Sequence, residues 1–221
     1  SNNYGQLGTG NYESRKKPVL VMENVKQADF GRYFGAAVKT DGSVWTWGFN
    51  KGGCLGNGKE ETSNPTPSMI IESGIKSISM GLLNGAAITE GGTLLIWGGN
   101  GSFQLGDGDR AMDAILKVWN TPRELMQGVS AVSIEGENVA VVKNDSSLWT
   151  WGNNVSGQLG YTLQNGELIS PTPQVALNSV EDICLGDKYV TALKTDGSLW
   201  TWGENSRGEL GDGTTVSRTE P

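Results

Sequence analysis

The chain has 221 residues with 17 basic against 24 acidic side chains, a formal charge of -7, and its Lys and Arg gather nowhere beyond Arg15-Lys16-Lys17. The electrostatic footprint of a nucleic-acid-binding protein is therefore missing, and with no histidine the usual general base of Ser and Cys nucleophiles and the commonest metal ligand are missing too. Apolar runs such as Val139 to Val142 fall far short of the roughly 20 residues that span a bilayer, and no charged stretch with an apolar follower opens the chain; no membrane insertion and a soluble chain of unknown compartment are expected.

In chain order, residues 1–25 read as a partial repeat. It opens with Asn3-Tyr-Gly-Gln-Leu-Gly8, reaches Pro18, and predicts an outermost strand at Val19 to Met22, because proline lacks a ladder donor and sits at sheet edges or strand starts. Repeat 26–75 carries a hairpin in which Ala36 to Lys39 and Val44-Trp-Thr-Trp47 flank Asp41-Gly42, where Gly accepts the positive φ of a tight turn. It closes with Trp47-Gly-Phe-Asn-Lys-Gly-Gly-Cys-Leu-Gly56 and, after Pro65 and Pro67, an outer strand at Ser68 to Ile71. Repeat 76–129 has strands at Ile75 to Met80, at Ala86 to Ile88 and at Leu94 to Trp97, then the close Trp97 to Gly106. Repeat 130–180 follows with Val129 to Ile134, Val139 to Val142, Leu148 to Trp151, the close Trp151 to Gly160, and Gln174 to Ala176. Repeat 181–221 has Val180 to Leu185, a hairpin at Asp196-Gly197, Leu199 to Trp202 and the close Trp202 to Gly211.

The Trp positions 47, 97, 151 and 202 are separated by 50, 54 and 51 residues, so a constant unit carries loops of varying length. Four short antiparallel strands per repeat of about fifty residues is the pattern of a propeller blade. The expected fold is all-β: a β-propeller of four-stranded antiparallel blades with about four to five repeats, residues 1–221 being one array belonging to a larger propeller. Trp45 with Trp47, Trp149 with Trp151 and Trp200 with Trp202 share one strand face, and are expected to pack between blades. Trp47, Trp97, Trp151 and Trp202, with Leu55, Leu105, Leu159 and Leu210, form the structural set. Asn50, Asn100, Asn154 and Asn205 are expected to satisfy turn backbone groups.

At these residues the chain resembles the regulator of chromosome condensation repeat family, whose repeat runs Gly-x-x-His-Ser-Leu-Ala-Leu, then Asp-Gly, then Trp-Gly-x-Asn-x-x-Gly-Gln-Leu-Gly. The resemblance covers nearly the whole chain and implies a β-propeller, commonly of seven blades. The sequence departs from it where the family's His is replaced by Phe34, Asn84 and Tyr189, where Gly becomes Phe103, and where Gln becomes Cys54 or Glu209. Exchange of guanine nucleotide is not carried over.

Two Leu-Gly-to-Pro loops are long, Asp107 to Thr121 and Tyr161 to Ser170. Variable loops on a rigid scaffold are where binding residues gather. The candidate protein-binding residues are Trp119, Met112, Ile115, Leu116, Tyr161 and Leu163, with Trp119 the preferred hot spot because it alone among the Trp lies outside the repeated strand. Asp107, Asp109 and Asp113 lack the spacing of a calcium loop. Cys54 and Cys184 give no metal spacing either, so no metal and no cofactor are expected. The function expected is a scaffold that binds a protein partner, not an enzyme. The alternatives are a propeller hydrolase or lyase using loop carboxylates such as Glu60 with Glu61 or Glu135 with Glu137, and a structural segment of a larger surface protein. Self-association completing a ring is a further expectation.

Overall fold

The computed structural model describes residues 1–111 and 113–221; Met112, one of the expected contact residues, lies outside them. Fifteen strands are present among the described residues, in four antiparallel sheets. The chain divides into two compact units, Ser1–Gly99 with Lys117–Gln127, and Asn100–Leu116 with Gly128–Pro221.

The first unit holds two four-stranded meanders, β1 (Val25–Phe30), β2 (Phe34–Lys39), β3 (Val44–Phe49) and β4 (Ser63–Ile71), then β5 (Ile75–Met80), β6 (Asn84–Thr89), β7 (Leu94–Gly99) and β8 (Val118–Met126). The second unit holds β9 (Val129–Glu135), β10 (Asn138–Lys143), β11 (Leu148–Asn153) and β12 (Ile169–Leu177), then a three-stranded sheet of β13 (Val180–Leu185), β14 (Tyr189–Lys194) and β15 (Leu199–Gly203). In that last sheet a single bridge, Gly203 to Arg218, stands where the other sheets have their fourth strand. These are the antiparallel blades of a β-propeller. No helix among the described residues is long and apolar enough to cross a membrane.

Alternation explains the strands. In β2, β6 and β10 both faces are covered, which is why Phe34 to Val38, Asn84 to Ile88 and Asn138 to Val142 read as near-continuous small or apolar runs. The hairpins turn as their sequences require: Gly42, Gly92 and Gly197 have φ of 79°, 79° and 82°, and where the third repeat has no glycine, Ser146 adopts φ 64° in its place.

The closing element of each repeat is knotted by its asparagine. The side-chain oxygen of Asn2, Asn50, Asn100, Asn154 and Asn205 accepts the backbone N–H of Leu7, Leu55, Leu105, Leu159 and Leu210 at 2.9–3.1 Å. The amide nitrogen of each then donates to a carbonyl further along, such as Lys59, Ala114 or Tyr161. Where the strand carries threonine, its hydroxyl adds a bond to the same leucine's carbonyl: Thr46 to Leu55, Thr150 to Leu159 and Thr201 to Leu210, at 2.7–2.9 Å. The second repeat has Ile96 there and lacks this bond.

Each knot is also strapped by the following repeat. The indole N–H of Trp47 donates to Gln6, Trp97 to Cys54, Trp151 to Gln104 and Trp202 to Gln158, each to a backbone oxygen at 2.8–3.1 Å. The outer strands bulge opposite these tryptophans: Thr46 pairs with Ser68 and Gly48 with Asn64, so residues 65–67 face Trp47 alone, and the same slip occurs in β8 and β12. Pro65, Pro67, Pro122, Pro171 and Pro173 fall in these bulges on an edge strand, where a missing N–H costs no ladder bond. The bulge carbonyls are used too: Gly10, Gly58 and Gly108 donate to Pro65, Asn120 and Pro171 at 2.8–3.1 Å. Under a strap the glycine after the leucine is required, since a Cβ on Gly56 or Gly160 would come within 2.8 Å of the Trp97 or Trp202 ring at positive φ.

Two expectations change. Val19 to Met22 is not a strand, because an outer strand pairs with a Trp-bearing third strand and the partial repeat supplies none; Val19, Leu20 and Val21 remain exposed. The tryptophan pairs also divide. Trp47, Trp151 and Trp202 form the straps, whereas Trp45, Trp149 and Trp200 cap their own hairpins, each donating to a serine (Ser43, Ser147, Ser198) whose hydroxyl binds the turn aspartate (Asp41, Asp145, Asp196). Lys39, Lys143 and Lys194 lie 4.9–5.8 Å from those ring centroids. The serine hydroxyl and N–H hold all three aspartates below the usual carboxylate range.

Asn154→Ala strands the Leu159 N–H and the Tyr161 carbonyl and should cost about 2–3 kcal/mol. Ser146→Gly relieves a left-handed non-glycine residue and should add about 1 kcal/mol. Denaturant melts of the two variants beside the parent check both signs.

Candidate interaction surface

The two long loops both belong to the second unit over residues 107–116 and 161–168. Asn100 reaches across the first to the Ala114 carbonyl at 2.9 Å, and a single 3₁₀ turn forms at Ala114–Leu116. In the second loop Leu163 is buried, and the half-buried Tyr161 donates its hydroxyl to the Thr150 carbonyl at 2.9 Å. Burial pushes the Tyr161 phenol above its ordinary pKa.

The loops meet. Arg110 Nη1 donates to Glu167 Oε1 at 2.9 Å and the Gly108 N–H donates to the Pro171 carbonyl at 3.1 Å. Among their outward residues, most of them polar, three are aliphatic: Ile115 is 45% exposed, Leu116 77% and Leu168 55%. Leu168 was not among the sequence candidates, although it is the same kind of signal, an aliphatic residue in a loop that the repeat does not specify.

Trp119 stands elsewhere. It lies in β8, paired with Gly98, and is only 8% exposed, with Arg123 5.2 Å and Lys117 5.9 Å from its ring centroid. The first loop ends before Val118, where sheet pairing with β7 begins, so Trp119 is an edge-strand residue and not a loop tip. Its indole N–H has no hydrogen-bond partner among the described residues. The eight expected structural residues, Trp47, Trp97, Trp151, Trp202, Leu55, Leu105, Leu159 and Leu210, are all buried.

The carboxylates that a hydrolase would draw on are partly engaged: Glu61 accepts from Asn57 at 2.8 Å and Glu137 from Asn153 at 2.7 Å. Glu60 and Glu61 line an open cleft of about 630 Å³ in the first unit with Lys51 and Lys59. Among the described residues no group of three or more His, Cys, Asp or Glu side chains is placed to hold a metal ion. The sequence reading missed an aromatic cluster made by Tyr4, Tyr33 and Phe49. The available signal was that three positions without an aromatic in the other copies carry one here.

The regulator of chromosome condensation (RCC1) repeat profile matches residues 1–38, 41–82, 145–193 and 196–221. The chain belongs to the RCC1 repeat family. Three departures from the repeat, Ile96, Phe103 and the contracted turn at 135–138, fall in the unmatched stretch 83–144. Among curated relatives it is 31% identical to the human probable E3 ubiquitin-protein ligase HERC6 over 98% of this chain and 17% of that protein. It is 32% identical to the Arabidopsis thaliana ultraviolet-B receptor UVR8 over 99% of this chain and 51% of the receptor. The solved structure of human WBSCR16 superposes with a TM-score of 0.82 over all of this chain and 60% of that one, at 23% identity. The chain therefore spans less than two thirds of each of these proteins. RCC1 repeat propellers commonly serve protein interaction or regulation, and the ligase and receptor names belong to whole proteins of which this chain matches 17% and 51%.

Trp119→Ala should lower stability by about 3 kcal/mol, whereas Trp119→Phe, which removes the unpaired N–H and keeps the ring, should cost under about 1 kcal/mol; thermal melts read the contrast. Burial pushes the Cys54 thiol up to about 12 while Cys184 is exposed. Thiol titration with a disulfide reagent near pH 8 should therefore find Cys184 alone in the native protein and both cysteines after denaturation.

Proposed function

We propose that the chain is a protein-binding module whose contact surface is the clasped pair of loops, 107–116 and 161–168. The observation that carries this reading is the exposure of Ile115, Leu116 and Leu168 on loops held together by Arg110 and Glu167. Loops anchored on a rigid scaffold are where binding residues gather, and aliphatic side chains exposed on them supply apolar contact area. Tyr161 and Leu163 support the second loop from beneath, by the bond to the Thr150 carbonyl and by burial. Trp119 keeps its ring within β8 and contributes rigidity, not contact area. The engaged state of Glu61 and Glu137 favours binding over hydrolase or lyase chemistry. The family is consistent with this, because the same repeat recurs in relatives named for quite different activities.

The test pairs Leu116→Asp with Leu168→Asp in one chain. Affinity capture from lysate with quantitative mass spectrometry should show a partner enriched by the parent and depleted about tenfold or more by the double variant, with the melting temperature unchanged. An identical captured set from both chains would remove the loops from the contact.

A further inference from the structure

The first unit carries a cluster that its fold does not call for. Tyr4, Tyr33 and Phe49 come from three separated stretches, yet their ring centroids lie 5.2, 4.9 and 6.3 Å apart in tilted and edge-on pairs. Arg32 stacks its guanidinium carbon 5.1 Å from the Tyr33 centroid. Tyr33 leaves 36% of its surface in solvent. Phe30, edge-on to Trp47 at 6.3 Å, holds the position that Met80 and Leu185 fill with buried side chains in later repeats, and so belongs to the packing of the blade.

The other repeats show that the three-ring cluster is not needed to build a blade. The positions of Tyr4 are filled there by Gly52, Ser102, Ser156 and Arg207, and those of Phe49 by Gly99, Asn153 and Glu204. The turn Gly31-Arg32-Tyr33 becomes Gly81-Leu82-Leu83 or Gly186-Asp187-Lys188. Their knots and straps form without an aromatic at any of these positions.

Arg32 decides the chemistry of the occupant. It is exposed and has no carboxylate partner among the described residues. The nearby acid in the sequence is directed to backbone donors: Asp29 accepts the N–H groups of Phe30 and Met80, both at 2.8 Å. A guanidinium resting over a ring keeps its N–H donors, which can take a carboxylate through two parallel bonds. One cation over an exposed tyrosine ring suits a carboxylate with an apolar neighbour, and Arg and Tyr are enriched among the residues that dominate interface energetics. It does not suit a nucleic-acid backbone, which asks for many cations.

We propose that this cluster docks an acidic peptide segment of a partner protein, with a carboxylate held by Arg32 and an adjacent apolar side chain lying on the Tyr33 ring. The surface is built from elements other than the long loops. The test is selection of a displayed library of random 12-residue peptides on the parent chain, with Arg32→Glu as the counter-selection. Enriched sequences should place Asp or Glu beside an aromatic or branched aliphatic residue. A synthetic peptide of that consensus should lose about tenfold or more in affinity against Arg32→Ala and against Tyr33→Ala, with the melting temperature unchanged in Arg32→Ala, whose side chain is exposed, and lowered in Tyr33→Ala, which gives up its contacts with Tyr4 and Phe49. It should bind the Leu116→Asp/Leu168→Asp chain as it binds the parent. The proposal is overturned by no enrichment, by enrichment without acidic bias, by equal affinity for Arg32→Glu, or by a loss in the loop double variant, which would put the peptide on the loops.

Discussion

Everything else in this structure depends on how the Leu-Gly element is held. It has no ladder partner of its own, yet its leucine is buried and its backbone groups must be satisfied without water. The repeat solves this with two anchors from different sources. The asparagine of the same repeat takes the leucine N–H, and the tryptophan of the following repeat takes the carbonyl just before that leucine. Neither anchor substitutes for the other, because one fixes the local turn and the other fixes the turn to its neighbour. A repeat alone would leave its indole N–H without an acceptor and its Leu-Gly element without a cover. This is the nearest-neighbour logic of repeat proteins, in which folding energy resides as much in the junction as in the unit.

With the element pinned at Asn and Leu, the chain beyond it is free to vary. The asparagine's amide nitrogen donates to whatever carbonyl the following stretch brings back, Lys59 in one repeat, Ala114 in the next and Tyr161 in the third. The return point slides along the sequence while the knot is unchanged. Length variation between Leu-Gly and the outer strand thus carries little structural penalty, and the two longest stretches are where aliphatic side chains are left in solvent.

The period, the hairpins and the knots were legible in the sequence because they rest on local chemistry: positive-φ glycines, alternation, and asparagine at a fixed distance from leucine. What was hidden came from pairing. Val19 to Met22 has the composition of an outer strand, but a strand exists only beside another, and composition does not say whether the partner is there. Trp45 and Trp47 share a strand face and so read alike; only the hydrogen-bond acceptors, a serine in one case and a neighbouring repeat's carbonyl in the other, separate them. Trp119 looked exceptional for lying outside the repeated strand, yet sheet pairing draws it into β8.

The aromatic cluster was hidden for a different reason. Its members are 29 and 16 residues apart, at Tyr4, Tyr33 and Phe49, and each taken singly is an unremarkable departure from the repeat. They converge because the strap from Trp47 to Gln6 brings the partial repeat's turn against the first hairpin, which sets Tyr4 beside Tyr33 and Phe49. The contact that holds the fold therefore also assembles a surface the fold does not use. The same holds for the loops, where the knot from Asn100 to Ala114 sets the 3₁₀ turn that presents Ile115 and Leu116. In both places the constant part of the repeat performs the positioning and the variable part supplies the chemistry. The two surfaces accordingly differ in character, one aliphatic on clasped loops and one aromatic around a single unpaired cation, although one repeated device builds both.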